Sequence, residues 1–314
     1  KDEKLEHSYP HDWRTKTPVF YKLTKQFFVD LNLLKDGVNN QLSKVEFNHS
    51  RYYNRLKSMM GNRKLWCLSR QRSWGLPLAV FLKEGEVFMP KDLQNHVMNL
   101  VEENGSNVWF NKNSEDLLPE KYKNMGLVKC EYTVDVWFDS GTSWHSVLND
   151  KQADVYLEGS DQHRGWFQSS LLTSVMYHSK APYKKLVTHG FVLDSNGQKM
   201  SKSLGNVVDP LDVSKKYNTD VLRLSLLSVD YVNDVKMGDG LFKTASEYYF
   251  KFRNTLKYFL GNMYGYNNEE FTLEEMDFKQ MELNKKHMEK CKLYYEQYDF
   301  KNVVFSMLDY VNET

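Results

Sequence analysis

Two lysines three positions apart, Lys199 and Lys202, stand in the pentapeptide KMSKS, just after a β-rich run and a turn that contains Gly197. On a mobile polar loop, two ammonium groups could close over a triphosphate and neutralise the charge that develops on departing pyrophosphate. Such stabilisation accelerates the chemical step because it arises only in the transition state. The alternative is a solvated lysine turn, which is the commoner fate of such loops. The sequence contains no G-x-x-x-x-G-K-[ST] loop, so a nucleotide site must use other parts.

The elements around this loop must place it, and their pattern alternates between strand and helix. Residues 153–157 predict a strand that ends in an EGSD turn, residues 163–177 have helical apolar spacing, and residues 186–193 are β-rich again. Asp209 then supplies a helix N-cap, followed by Pro210 at the first helical position. This order predicts a parallel sheet, in which ligands bind beyond the carboxyl ends of the strands. The EGSD turn and the lysine pentapeptide both follow such ends.

Composition excludes several classes of protein. The 314 residues include 42 Lys+Arg and 41 Asp+Glu, so the overall charge identifies no partner. The three cysteines, Cys67, Cys130 and Cys291, form no C-x-x-C pair, which argues against a disulfide framework and a closed zinc site. No apolar run approaches the ~20 residues of a membrane span, and the first residues are neither a signal nor a transit peptide. We therefore expect a cytoplasmic protein in a reducing environment, without a membrane partner.

Four segments are predicted along the chain. They are residues 1–82 with short apolar runs among basic and aromatic residues, a more polar insertion at 83–131, an α/β segment at 132–240, and a helical segment at 241–314. The amphipathic stretches of the last segment are 242–263, 278–298 and 300–311. The fold class predicted is therefore α/β, followed by an all-α helical bundle domain.

A basic stretch without acids runs from residue 51 to residue 72. Its basic residues are Arg51, Arg55, Lys57, Arg63, Lys64, Arg70 and Arg72. Aromatic residues are interleaved with it at Tyr52, Tyr53 and Trp66, and Trp74 lies just beyond. Phosphate contacts combined with stacking faces suit a single-stranded RNA end, whereas the alternative is a solvated basic face over core aromatics.

The histidines do not predict a metal site. Metal ligands usually come in spaced pairs with acidic or cysteine neighbours. The histidines considered for such a role were His7, His11, His96 and His163. No pair of them has ligand spacing together with acidic or cysteine neighbours, so we expect structural or solvent-exposed roles for all four.

Several longer segments resemble the class I aminoacyl-tRNA synthetases, and the isoleucyl branch closely. KMSKS is the second signature of that family, and here it continues as KMSKSLGNVVDP. The other matching segments are HSYPHDWRTKTPV at 7–19, WCLSRQRSWGLPL at 66–78, DVWFDSG at 135–141, LEGSDQHRGWFQSSLLTS at 157–174, HGFVLD at 189–194, and FRNTLKYFLGN and YDFKNVV in the helical end. The resemblance covers nearly the whole chain, and the motif sequences resemble those of bacterial-type enzymes.

The resemblance implies a Rossmann-like parallel-sheet catalytic domain that activates isoleucine with ATP and esterifies tRNA(Ile). Magnesium would arrive with ATP, held mainly by phosphates and water, and neither structural zinc nor DNA is implied for this portion. By the same resemblance, residues 1–82 are the return segment after an editing insertion and 83–131 are a connective insertion. Residues 132–240 are then the second half of the catalytic domain, and 241–314 begin the helical anticodon-binding domain.

Site residues follow from their positions in the matching motifs. The adenylate would be bound by Glu158, Gly159, Asp161 and Gln162, the adenine by His189, Val192 and Met200, the phosphates by Lys202 with Lys199 assisting, the isoleucine side chain by Trp166 and Trp137, and the tRNA end by Arg70, Arg72 and Trp74. Several of these residues have a plainer alternative. Glu158 would be a surface carboxylate and Asp161 the N-cap of the next helix, while the tryptophans, Val192 and Met200 would be core.

The chain also departs from the family pattern. The HIGH-type signature, the first half of the sheet, the editing domain and most of the anticodon-binding bundle are missing, and the sequence begins without Met. We therefore expect an internal fragment that is inactive by itself. Three alternatives remain: a valyl or leucyl synthetase, a synthetase-derived RNA-binding protein without catalysis, and a nucleotidyltransferase of similar topology. The basic-aromatic stretch and the helical end argue against the last.

Overall fold

A computed structural model describes residues 7–12, 15–267 and 272–313; Trp13 and Arg14, within the segment 7–19, lie outside the described residues. The strands, in chain order, are β1 Phe28–Asp30, β2 Glu46–Phe47, β3 Leu65–Cys67, β4 Ser69–Arg70, β5 Phe81–Lys83, β6 Glu86–Phe88, β7 Val128–Lys129, β8 Thr133–Val134, β9 Ala153–Gly159, β10 Tyr183–His189, β11 Val192–Leu193 and β12 Val235–Lys236.

The α-helices, in chain order, are α1 Lys35–Leu42, α2 Ser50–Asn62, α3 Lys91–Asn104, α4 Val108–Asn111, α5 Ser114–Leu117, α6 Val136–Gly141, α7 Ser143–Leu148, α8 Trp166–His178, α9 Pro210–Tyr217, α10 Thr219–Leu227, α11 Asp239–Asn262, α12 Glu275–Glu296 and α13 Phe300–Glu313. Short 3₁₀ turns are formed by Leu31–Leu34, Glu120–Tyr122, Ser160–Arg164 and Lys202–Leu204. The chain divides into two compact units. The first contains the residues up to Asn32 together with Lys64–Asp139, and the second contains Leu33–Arg63 and the residues from Ser140 onwards.

The first unit is built from small antiparallel sheets. β1 pairs with β3, β4 pairs with β8, and β5 lies between β6 and β7. Phe81, Leu93 and Trp109 are fully buried in one apolar cluster of this unit. The Trp109 indole donates to the carbonyl of Cys130 at 2.8 Å, so its polar atom is satisfied inside that cluster. The polar-looking segment 83–131 therefore contributes most of an apolar core.

The second unit contains a parallel sheet in the order β2-β10-β9, which confirms the predicted α/β class. β10 is its central strand, with Leu186 and Val187 fully buried. Helix α8 follows β9 and contacts both α1 and α7, and every residue from 167 to 175 is buried. Helices cover the faces of a parallel sheet, so a helix that lies between the sheet and other helices has little contact with solvent. The helix ends at Ser179, which takes a left-handed conformation with φ 55°.

Past β10 the chain forms the pair β11–β12 and the helices α9 and α10. β11 and β12 run parallel, with Val192 opposite Val235. The Asp209 carboxylate accepts from the amide of Leu211 at 2.7 Å, and Pro210 is the first residue of α9. This confirms the predicted cap, because the side chain satisfies an amide that has no partner inside the helix.

The last part of the described chain is helical, as predicted. Helices α11, α12 and α13 occupy the three amphipathic stretches, with ends that differ from the predictions by a few residues. α12 begins before residue 278 because Glu274 and Asp277 form a reciprocal capping box at its start. Among the residues that the structure describes, none of the helices combines the length and the apolar character needed to cross a bilayer.

Candidate functional site

The carboxyl ends of β9 and β10 lie side by side. Glu158 is opposite Thr188 and Gly159 is opposite His189 in the parallel register. Asn48, which follows β2, donates to the Thr188 carbonyl and accepts from its amide, both at 3.0 Å. These contacts fix the edge at which parallel sheets bind ligands. We call Glu158, Gly159, Asp161, Gln162 and His189 the strand-end site.

Gly159 is buried and permits a close approach of side chains. A Cβ at this position would lie 2.6 Å from Asp161 Oδ1 and 3.4 Å from His189 Cε1. The first distance is shorter than real Cβ contacts, so any other residue would displace the Asp161 carboxylate. The Gly159 amide itself donates to Glu158 Oε2 at 3.1 Å. Glycine is therefore required by the packing of two of the predicted site residues.

Gln162 joins the strand-end site to α8. Its Oε1 accepts from the amide of Trp166 at 3.1 Å, and its Nε2 donates to Asp161 Oδ2 at the same distance. The N-cap position of α8 is Gly165, so Asp161 is not the cap that the plainer alternative supposed. Gln162 satisfies a first-turn amide in its place. The Asp161 carboxylate is exposed and directed by Gln162.

His163 is a buried, structural histidine. Its Nδ1 lies 3.0 Å from the Ser160 carbonyl, and its ring stacks on Tyr52 with centroids 5.3 Å apart. Burial lowers its pKa from the ordinary 6.5, because the charged form loses solvation. Among the described residues, its Nε2 has no hydrogen-bond partner. This packing fastens the 3₁₀ turn of the strand-end site to α2.

The lysine loop, residues 199–203, returns towards the same strands. Lys199 forms an isolated antiparallel bridge with Leu193, and the chain from His189 to Leu193 can span at most about 14 Å. The Lys199 ammonium lies 5.9 Å from the ring centroid of Phe191. Both Lys199 and Lys202 are exposed, and in the described part of the chain neither has a carboxylate within 4.0 Å.

The two predicted adenine residues next to the loop differ in their surroundings. The Phe191 carbonyl accepts from the amide of Val235 in β12, and the Leu193 carbonyl accepts from the amide of Met237, which directly follows β12. Because peptide groups alternate along a strand, the amide and carbonyl of Val192 must point away from β12. Met200 instead packs against the small core around Phe242, and its sulfur accepts from the amide of Val208 at 3.5 Å.

The two predicted pocket tryptophans belong to different units. Trp166 is half-buried, stacks on Tyr156 with centroids 4.1 Å apart, and donates through Nε1 to the Ser140 carbonyl at 3.0 Å. This fixes its indole at the start of α8. Trp137 belongs to α6 in the first unit, and 39% of it is exposed.

The three predicted RNA-facing residues also differ from one another. The Arg70 guanidinium pairs with Asp135 Oδ2 at 3.0 Å and donates to the Cys67 and Ser69 carbonyls. The Trp66 indole donates to the same carboxylate oxygen at 2.8 Å. Arg70 is thus occupied by structural contacts. Arg72 and Trp74 are exposed, Trp74 to 92%.

A cavity of about 350 Å³ opens beside the strand ends. It is lined by Arg51, Tyr52, Arg55, Ser160, Gly190, Val232, Asn233 and Asp234. A larger cavity of about 510 Å³ is lined by the starts of α2 and α13 and by the loop before β12. Gly190 is required by its neighbours, since a Cβ there would lie 2.3 Å from the backbone of Asn233.

Two residues beside the lysine loop had been assigned no role from the sequence. Asp194 directly follows β11 and is buried, and Asn206 follows the loop. The two side chains are hydrogen-bonded to each other at 2.8 Å. An Asp before a glycine turn is a recognisable signal, but its pairing with an amide twelve residues later is not.

Comparison with known proteins found a matching family model and similar relatives. The family model described as "tRNA synthetases class I (I, L, M and V)" matches residues 5–238. An isoleucine–tRNA ligase of Mycoplasmopsis agalactiae is 43% identical over 98% of this chain and 35% of its own length. An isoleucine–tRNA ligase of Synechocystis is 47% identical over 86% of this chain and 29% of its own length. The chain thus spans about a third of the length of the curated relatives it matches.

Solved structures share the fold. A methionyl-tRNA synthetase of Mycobacterium tuberculosis, bound by methionyl-adenylate, covers 98% of this chain and 55% of its own, with a TM-score of 0.65 and 17% identity. An Agrobacterium radiobacter LeuRS in a complex with tRNA and LeuAMS covers 79% of this chain and 35% of its own, with a TM-score of 0.62 and 21% identity.

Proposed function

Because the chain belongs to the class I tRNA synthetases of the I, L, M and V group, we propose that it is a portion of an isoleucine–tRNA ligase that contains the second half of the catalytic domain. The whole protein would activate isoleucine with ATP and transfer it to tRNA(Ile). The choice of isoleucine within the group rests on the isoleucine–tRNA ligases that are 43% and 47% identical to the chain.

One observation carries the proposal. β10 ends in the strand-end site and continues through Phe191 into the lysine loop, and the Lys199 ammonium lies over the Phe191 ring. A single extended nucleotide can therefore meet the strand ends with its ribose and acyl half and the two lysines with its phosphates. The lysines suit this role because in the described chain no carboxylate within 4.0 Å neutralises them.

In the first reaction, a carboxylate oxygen of isoleucine bonds to the α-phosphorus of ATP while the bond from that phosphorus to pyrophosphate breaks. Negative charge grows on the departing pyrophosphate, and Lys202, assisted by Lys199, stabilises it. In the second reaction, a terminal hydroxyl of tRNA attacks the acyl carbonyl and AMP leaves. The lysines accelerate the first reaction because their contact is strongest in its transition state.

The remaining site residues would bind the ground state. Asp161, directed by Gln162, accepts hydrogen bonds from the ribose hydroxyls, and Gly159 with Glu158 bounds the adenylate at the strand end. The outward-pointing backbone of Val192 meets the adenine edge, with His189 and Met200 beside it. The isoleucine side chain would be bound by Trp166 at the start of α8. In the first unit, Arg72 and Trp74 would bind the tRNA end, with Arg70 as their support.

Magnesium would enter with ATP. Within the described ranges, no group of three or more His, Cys, Asp or Glu side chains could hold a metal ion. We propose that phosphates and water supply most of the magnesium ligands, as is usual for Mg²⁺ at nucleotides. The residue ranges 1–82, 83–131, 132–240 and 241–314 would act as return segment, connective insertion, second catalytic half and start of the anticodon-binding domain. The protein would act in the cytoplasm.

The isolated chain would have little or no activity. Within the described residues, β9 is hydrogen-bonded to β10 alone, so one side of this strand lacks a partner in the sheet. Nucleotide sites of this fold class form between strand ends on both sides of a crevice. A further strand, supplied by a part of the protein outside these 314 residues, would complete the crevice.

The test is ATP–pyrophosphate exchange in the full-length protein, with isoleucine, valine or leucine as the amino acid. We expect isoleucine to have the highest kcat/KM. The kcat/KM for valine should be lower by about 10–200-fold, which corresponds to about 1–3 kcal/mol of transition-state free energy, a figure for which isoleucyl enzymes are themselves the standard example. Exchange that depends on valine or leucine instead would contradict the proposal. Isoleucine-dependent exchange by the isolated chain would contradict the incomplete crevice.

A further inference from the structure

The turn before the lysine loop is built around one carboxylate. Asp194 is 7% exposed, and its Oδ1 accepts from the amides of Asn196 at 2.9 Å and Gln198 at 2.7 Å. Its amide and carbonyl also bond across the turn, to Gln198 and Gly197. A carboxylate with so little exposed surface requires hydrogen bonds, since burying an unsatisfied charge is unfavourable. One of its oxygens, Oδ2, is left for a partner beyond the turn.

Asn206 is that partner, and it binds the lysine loop as well. Its Nδ2 donates to Asp194 Oδ2 at 2.8 Å and to the Lys199 carbonyl at 3.3 Å. Its Oδ1 accepts from the amide of Ser201 at 2.9 Å. One carboxamide thus joins the turn before the loop to the backbone on both sides of Met200. We call the pair Asp194 and Asn206 the clasp.

The chemistry of the clasp leaves the lysines free. Asp194 is satisfied by neutral donors, so it does not draw an ammonium group from the loop. The donors also lower the pKa of the Asp194 carboxyl, Asn206 first and the Gln198 amide second, so the carboxylate stays ionised at neutral pH. A lysine as the partner would satisfy the same carboxylate at the expense of a charge that the nucleotide needs.

We propose that Asn206, anchored by Asp194, is the positioning residue of the lysine loop. It fixes the backbone from which Lys199 and Lys202 reach the phosphates, and this role rests on the proposed ATP-dependent function. Loss of the clasp would leave both lysines in place but let their backbone vary. Because displacements of about 1 Å can reduce a rate about a hundredfold, the turnover number should respond more than substrate binding.

The first experiment measures loop order without reference to catalysis. Full-length protein without ATP is digested briefly with trypsin, and cleavage after Lys199 and Lys202 is quantified by mass spectrometry. We expect cleavage about tenfold faster in Asn206→Ala than in the wild type, because opening of the loop exposes its backbone to the protease. The matched control is Asn196→Ala, a side-chain amide on the same turn whose bond to Asp194 uses only its backbone.

The second experiment exchanges the two partners. Asp194→Asn alone sets an amide donor against the Asn206 donor, and Asn206→Asp alone sets two carboxylates against each other. The double variant restores a donor facing an acceptor and keeps an acceptor for the Ser201 amide, but it does not restore the bond to the Lys199 carbonyl. We expect each single variant to lower kcat for pyrophosphate exchange about tenfold to a hundredfold with little change in KM for isoleucine, and the double variant to recover part of that loss.

The outcomes separate the clasp from the proposed function. Cleavage and kcat of Asn206→Ala equal to those of Asn196→Ala would overturn the clasp, as would a double variant no better than the singles. If trypsin cleaves the loop faster in Asn206→Ala than in Asn196→Ala while Lys199→Ala and Lys202→Ala leave pyrophosphate exchange unchanged, the clasp stands and the proposed role of the lysines fails. Recovery by the double variant also excludes general misfolding as the cause of the single-variant losses.

Discussion

The strand-end site and the lysine loop are held by different forces. The strand-end site is fixed by parallel strands and by α8, in which every residue from 167 to 175 is buried. The lysine loop is exposed and is fixed by a few hydrogen bonds from the clasp. Burial makes a site rigid at a large gain in stability, whereas local hydrogen bonds of about 1 kcal/mol each allow a segment to open.

The difference corresponds to the two tasks that catalysis requires. Residues that bind a substrate before it reacts profit from rigid placement, because placement lowers the entropy lost on binding. Residues that act on the departing group profit from a segment that can admit the nucleotide and then close. Substitutions in the first region should therefore change folding stability together with binding, and substitutions in the second should change the rate alone.

The largest effect should come from the core under the strand-end site. Leu171 in α8 has no exposed surface, and Leu171→Ala should lower the free energy of unfolding by about 2–5 kcal/mol, because it removes packed methyl groups and leaves a cavity. Urea unfolding of the chain, followed by tryptophan fluorescence, measures this. Leu204→Ala is the control in the loop region, where the leucine is 65% exposed and should change little. Equal losses from both variants would remove the distinction between the regions.

The next largest effect should come from the loop and should spare stability. Lys202→Ala in the full-length protein should lower kcat for isoleucine-dependent exchange about a hundredfold to a thousandfold, as when one transition-state donor is lost. The free energy of unfolding should stay within about 0.5 kcal/mol of the wild type. Lys215→Ala, which removes another exposed lysine from α9, should leave kcat unchanged. A loss in Lys202→Ala that appears only in KM would assign the lysine to ground-state binding.

A smaller effect is expected from a methyl group at the strand end. Gly159→Ala brings a Cβ to 2.6 Å from Asp161 Oδ1, so the carboxylate must move. We expect kcat/KM for ATP to fall about tenfold, which corresponds to about 1.4 kcal/mol. Gly61→Ala is the matched control, because a Cβ there meets nothing within 4 Å and alanine favours the helix α2 by about 0.5–1 kcal/mol. Unchanged ATP kinetics in Gly159→Ala would argue against adenylate binding at this turn.

The smallest expected effect is a pH dependence of the free energy of unfolding that arises from buried His163. Burial holds the pKa of His163 below 6.5. As the pH falls below 6.5, the unfolded chain therefore binds a proton at this residue before the folded chain does. The stability contributed by the neutral ring is present above pH 6.5 and is lost as the pH falls through the folded value. Urea unfolding above and below pH 6.5 measures the slope, which His163→Gln should flatten. Asp194 also has a lowered pKa, so the stability contributed by its carboxylate is lost as the pH falls from around the ordinary 3.8 through the folded value.

The α/β order and the helical end could be predicted because their signals are local. β-branched runs, glycine turns and the Asp209 cap are each contained in a few residues, and the structure confirms them. The burial of α8 could not be predicted, since Ser169, Ser170 and Thr173 suggest a polar face. Their burial depends on α1 and α7, which come from other parts of the chain.

The site residues could be named from motifs, but their partners could not. Gln162 is occupied on one side by the start of α8, and Arg70 is occupied by Asp135. Neither contact follows from spacing, because each depends on where the chain turns. Asn206 was overlooked for the same reason, since it contacts backbone groups five and seven residues earlier through a bend. The chemical type of a side chain can be taken from the sequence, but its contact partners depend on the tertiary structure.

The open side of β9 has a consequence for handling the isolated chain. Within the described residues that side has unpaired backbone groups, and Val155 and Leu157 are exposed to 40% and 60% on the same strand. A strand edge with free amides and carbonyls beside apolar side chains is a template for another strand. At high concentration, separate copies of the chain should therefore associate through β9 and precipitate. A soluble preparation will need low concentration or an added peptide that occupies this edge.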